Sequence, residues 1–77
     1  MANNRLNLLN QLKEALEKAK SLNREIEYWI DEARVLAIKG DHIDAEDARG
    51  IVAEFQRELE LTFVNCQAIA TIIKDSK

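Results

Sequence analysis

Residues 59–73, LELTFVNCQAIATII, decide how this chain is read. Ten of the fifteen are apolar, and Glu60 is the only charge. At helical spacing Leu59, Thr62, Cys66, Ile69 and Ile73 form a 3-4 stripe that buries against one neighbouring helix. That stripe leaves out Leu61, Phe63, Val64, Ala68, Ala70 and Ile72, which fall on its flanks or on the far face. A helix that is apolar nearly all round is normally covered on more than one side. One antiparallel neighbour covers about half of it, so the segment asks for further company.

Upstream, the same periodicity runs without a break from Asn4 to Lys39. Placing Leu9 at heptad position a puts Leu9, Leu12, Leu16, Ala19, Asn23, Ile26, Ile30, Ala33 and Ala37 at alternating a and d. Only Asn23 is polar, a strong sign of a long helix in a bundle. Column g is apolar as well (Leu8, Ala15, Leu22, Trp29, Leu36), whereas column e carries Lys13, Lys20, Glu27 and Arg34. The expectation is an a/d seam within the chain and a spare g edge. A helix over 4–39 would be about 54 Å long.

Between the two patterns lies Lys39-Gly40-Asp41-His42-Ile43-Asp44. Gly40 suits the left-handed residue that ends a helix, and Lys39 the negative end of its dipole. Asp44 reads as the cap of a second helix, with Asp47 three residues on as a carboxylate version of the capping box. Asn3 or Asn4 can cap the first helix. So short a turn forces the helices antiparallel. The seam of the second helix is Ala45, Ala48, Val52, Phe55, Leu59, Thr62, Cys66, Ile69 and Ile73. Folded at the turn, it matches the first seam layer by layer, from Ala37 with Ala45 to Leu9 with Ile73. The expected fold is all-α: one antiparallel helical hairpin, with helix 1 about 4–39, a turn at 40–43 and helix 2 about 44–75. A four-helix bundle would be completed by dimerisation or by a partner.

Composition narrows the function. The chain has 77 residues, no proline and two glycines, with 47% hydrophobic and 32% charged residues. That is one small helical domain, which usually needs an oligomer, a metal or a disulfide for comfortable stability. The single cysteine excludes an internal disulfide and fits a reducing compartment. On the apolar stripe, Cys66 acts as a small hydrophobe. No uncharged run reaches transmembrane length and no basic-then-apolar leader is visible, so a cytoplasmic, membrane-free protein is expected. Net charge is -3 with the basic residues scattered, which argues against a general phosphate-binding surface.

Candidate sites are few. A lone a-position Asn such as Asn23 can fix register and oligomer state; otherwise it is an amide at the seam's edge, meeting Thr62 or solvent. Trp29 on the g edge is either an interface anchor or edge packing, while Tyr28 points to solvent. Gly50 sits mid-helix at an outward position, where it costs about 1 kcal/mol against alanine. It admits a close backbone approach, gives local flexibility near the turn, or has no role. His42 with Asp41, Asp44, Glu46 and Asp47 offers one nitrogen ligand and lacks calcium-loop spacing, so no metal or other cofactor is expected. No phosphate loop or nucleophile-base pair is present, so no catalytic residue is expected either.

These features favour a non-enzymatic protein-binding module: a chaperone, adaptor or assembly factor that buries apolar helix faces against a partner helix or a second copy. The residues expected to meet the partner are Leu8, Leu22, Trp29 and Leu36 from helix 1, and Leu61, Phe63, Val64 and Ile72 from helix 2. The alternative is a dimeric hairpin holding RNA or DNA on a basic face built from Lys13, Lys20 and Arg24. LKEALEKAK at 12–20, the glycine turn at Gly40 and the apolar AIATII at 68–73 resemble the small helical-hairpin co-chaperones of type III secretion systems. That resemblance implies a hairpin that works with a second chaperone to hold an amphipathic needle-subunit helix. It transfers no individual residue.

Overall fold

A computed structural model describes residues 2–75 and contains two helices: α1, Ala2–Ile38, and α2, His42–Asp75. They pack antiparallel along their whole length into a rod with Cα extents of 59 × 14 × 12 Å. No strand occurs among the described residues. Neither helix is apolar enough over a sufficient length to cross a membrane.

The turn is built by hydrogen bonds. Gly40 adopts φ +84°, the left-handed conformation that side chains disfavour. This lets the Asp41 amide donate to the Leu36 carbonyl at 2.9 Å and the Gly40 amide donate to the Ala37 carbonyl at 3.1 Å. Those two bonds make a Schellman cap. The Asp41 carbonyl then accepts the Ala45 amide at 3.0 Å, so α2 starts at His42 and Asp41 holds the capping position. Asp44 was the expected cap; it lies in the first turn instead, three residues later. At the other end α1 already begins at Ala2, so Asn3 and Asn4 stand inside the helix rather than before it. Met1, Ser76 and Lys77 lie outside the described residues.

The core is a single seam. From α2 it takes Ala45, Ala48, Val52, Thr62, Cys66 and Ile69 as buried residues, with Phe55, Leu59 and Ile73 half-buried. This is the expected column in full. From α1 it takes Ala15, Ala19, Leu22, Ile26 and Ala33 as buried, with Leu8, Leu12, Trp29 and Leu36 half-buried. Here the structure corrects the sequence reading. The seam of α1 is d/g, not a/d. Leu9, Leu16, Asn23 and Ile30 are exposed, and only Ala37 of the a column is half-buried. Counted outward from the turn, the shared d column sets Ala33 opposite Ala48, Ile26 opposite Phe55, Ala19 opposite Thr62 and Leu12 opposite Ile69. Thr62 spends its hydroxyl inside its own helix, donating to the Glu58 carbonyl at 2.8 Å, and so enters the seam with its polar group satisfied.

Candidate interaction surface

The change of column relocates the surface. Leu8, Leu22, Trp29 and Leu36, expected to form a spare edge, belong to the hairpin's own seam, and Leu22 is only 6% exposed. Trp29 is half-buried there with its ring edge-on to Tyr28, centroids 5.2 Å apart, while Tyr28 itself is exposed. Of the other four, Leu61, Phe63, Val64 and Ile72 are all exposed, as expected, but they do not share a patch. Phe63 lies beside Leu16 and Asn23 on one side of the rod. Leu61 lies beside Gln11 and Lys18 on the other. Ile72, two heptads on from Glu58, falls on that second side too, and Val64 is diametrically opposite the seam.

The two sides differ in chemistry. On the second, α1 contributes Gln11, Lys18, Glu25 and Glu32, a polar column seven residues apart that is exposed except for the half-buried Glu32. On the first, the displaced a column lines up with the α2 column containing Arg49, Gln56, Phe63 and Ala70. Leu16, Asn23, Leu59 and Phe63 border one groove there, and Ile30, Ala37, Val52 and Arg49 border another nearer the turn. Leu9 is 44% exposed, Leu16 45%, Ile30 41% and Phe63 49%. This strip is the one the sequence reading missed. Its signal was Asn23, the polar residue that makes the a column a poorer seam than the wholly apolar g column.

The basic residues divide. Lys13 and Lys20 edge the apolar strip seven residues apart, with Arg34 two heptads beyond Lys20 and Glu27 between them. Arg24 points directly away from the seam, so Lys13, Lys20 and Arg24 do not converge within one chain. On α2, Glu46 accepts an ion pair from Arg49 at 3.1 Å. At the turn, Asp44 has its proton affinity raised, first by a hydrogen bond with Asp41 that favours the protonated carboxyl, then by repulsion from Asp41 and Asp47. These acids stand at the start of α2, where the positive end of the helix dipole favours negative charge. Among the described residues no three His, Cys, Asp or Glu side chains gather as a metal site. Cys66 is buried as a free thiol.

No protein-family model, curated protein or solved structure matches this chain.

Proposed function

We propose that the chain is a protein–protein interaction module whose hairpin completes its core against another helical surface. The observation that carries this is how little the hairpin buries. It exposes 6085 Å². A globular monomer of 8.8 kDa would expose about 4,800 Å². The surplus, on the order of 1,300 Å², exceeds the roughly 800 Å² that one partner contributes to a standard interface. No large side chain among the described residues is fully buried, and five of the ten buried apolar residues are alanines. One seam of that kind stabilises little. A small chaperone, adaptor or assembly factor that holds a partner helix in a groove fits this reading, and the resemblance to the type III secretion co-chaperones is consistent with it.

The test is the folded state of the isolated chain. An interaction module purified alone should melt at low temperature with a shallow transition, or melt at a temperature that rises with its own concentration. A concentration-independent, sharp transition at high temperature from a monomer, with no binding of an apolar dye, would end this reading.

A further inference from the structure

We infer that the strip bearing Leu9, Leu16, Ile30 and Phe63 is covered by a second copy of this chain, with the two hairpins related by a twofold axis parallel to their length and both turns at the same end. This rests on the interaction-module reading and names its partner.

Area is the first argument. The side of the rod measures about 59 × 14 Å, on the order of the 800 Å² that each member of a stable pair buries. Charge is the second. Counted outward from the turn at Gly40 and Asp41, residues of α1 and α2 whose numbers sum to 81 fall at one level, in keeping with the groove that Ala19 shares with Leu59 and Phe63. With both turns together these levels are kept, and α1 of one copy lies over α2 of the other. Lys20, on one edge of the strip, then stands within one residue of the second copy's Glu60. Arg34 stands within one residue of its Glu46, a carboxylate that Arg49 of the same helix already holds at 3.1 Å and that would be shared between the two. Both pairs occur twice, by symmetry. The remaining edge residues oppose neutral ones, Lys13 near Gln67 and Glu27 near Ala53. No intrachain ion pair joins Lys20 to Glu60 among the described residues, so both are open to this use.

The opposite arrangement, turns at opposite ends, sets α1 on α1 and α2 on α2. Lys20 is the middle residue of α1, and Glu60 lies near the middle of α2. Each would then face its own symmetry mate, a like-charge contact at both edges. The middle of the strip agrees with the same-end pairing. Asn23 comes level with the second copy's Gln56 to within two residues, so the two side-chain amides of the strip meet each other. Leu16 meets Phe63 and Leu9 meets Ala70 in the same offset. Toward the turn the same offset sets Ile30 beside the second copy's Arg49, so the amide layer has apolar layers on its open side only; a polar layer within an apolar strip is how helical bundles fix register.

The experiment is sedimentation of the intact chain with three variants, joined to a distance measurement. Wild type should sediment as a dimer. Lys20→Glu should weaken the dimer at least tenfold, and Lys20→Glu with Glu60→Lys should restore it. Leu16→Glu, at a residue the hairpin itself leaves exposed, should yield monomer. Should Leu16→Glu fail to fold alone, the charge exchange still decides the matter. Spin labels at Ile43→Cys in a Cys66→Ala background should lie within roughly two to three helix diameters of about 10 Å, rather than the near 59 Å of opposed turns. A dimer with long label distances, or one that ignores both Lys20→Glu and Leu16→Glu, overturns the arrangement. A monomer that melts low and binds apolar dye removes the second copy as occupant but leaves the interaction module standing. A robust, dye-free monomer removes both.

Discussion

The amide of Asp41 donates to the carbonyl of Leu36 at 2.9 Å, while the Asp41 carbonyl accepts the amide of Ala45, so one residue closes α1 and opens α2. The geometry requires Gly40 to hold φ +84°. A Cβ at Gly40 would meet nothing within 4 Å, and the same holds at Gly50. The two positions therefore differ only in backbone. Gly40→Ala should destabilise by about 1–2 kcal/mol, the strain of a left-handed alanine. Gly50→Ala should stabilise by about 0.5–1 kcal/mol, because the residue is helical and outward. In a chain this small each kcal/mol moves the melting temperature by about 4–8 °C. Thermal melts of both variants check the pair; equal signs would refute the turn as described.

Asp44 lends the turn a pH dependence. Its carboxyl is held above the ordinary 3.8 by the hydrogen bond with Asp41 and by repulsion from Asp41 and Asp47. The folded state thus binds this proton more tightly than the unfolded chain does. The associated stability is present below 3.8 and is lost as pH rises through the raised folded value. Carbon-detected NMR titration should place the Asp44 midpoint above 3.8, and Asp41→Asn should bring it down toward that value. Added salt should do part of the same, since the group is fully exposed. A midpoint that Asp41→Asn leaves untouched would remove Asp41 as the cause.

How far the sequence carries the fold is clearest in three adjacent pairs. Leu8–Leu9, Leu22–Asn23 and Trp29–Ile30 each offer g and a neighbours that can face α2, while column d serves either choice. The helices, the turn at Gly40 and the α2 column from Ala45 to Ile73 were all legible, because each rests on one dominant pattern. The α1 column was not, because two patterns of nearly equal apolar content compete. Packing chose the one without an amide, since burying Asn23 against Leu59 would leave its polar atoms unpaired at a cost of about 1–3 kcal/mol. The start of α2 was ambiguous for a related reason: Asp41, Asp44 and Asp47 repeat every three residues, and each can be read as a cap. With Leu22 buried and Asn23 exposed, Leu22→Ala should cost roughly 2 kcal/mol or more. Asn23→Ala, tested in a monomeric Leu16→Glu background, should stay within about 0.5 kcal/mol. Denaturant melts read both, and a reversed order would restore the a/d seam.

Cys66 reports on the seam from inside. It is buried on α2 between Thr62 and Ile69, and counting outward from the turn sets it opposite the buried Ala15. A thiol reagent reaches it only when α1 and α2 part, so its reaction rate measures opening of the open half of the hairpin. Modification of the native chain should run at least about tenfold slower than in denaturant, where the thiol is free. Leu22→Ala should speed it, because the seam is continuous and Leu22 lies one heptad from Ala15. Gly40→Ala, which strains the turn at the far end, should speed it only as far as it lowers global stability. If the native rate equals the denatured one, the helices do not hold together along this half and the seam ends before Thr62. If Gly40→Ala accelerates modification far more than its melting temperature accounts for, the turn and the open end are coupled more tightly than a simple zipper of layers allows.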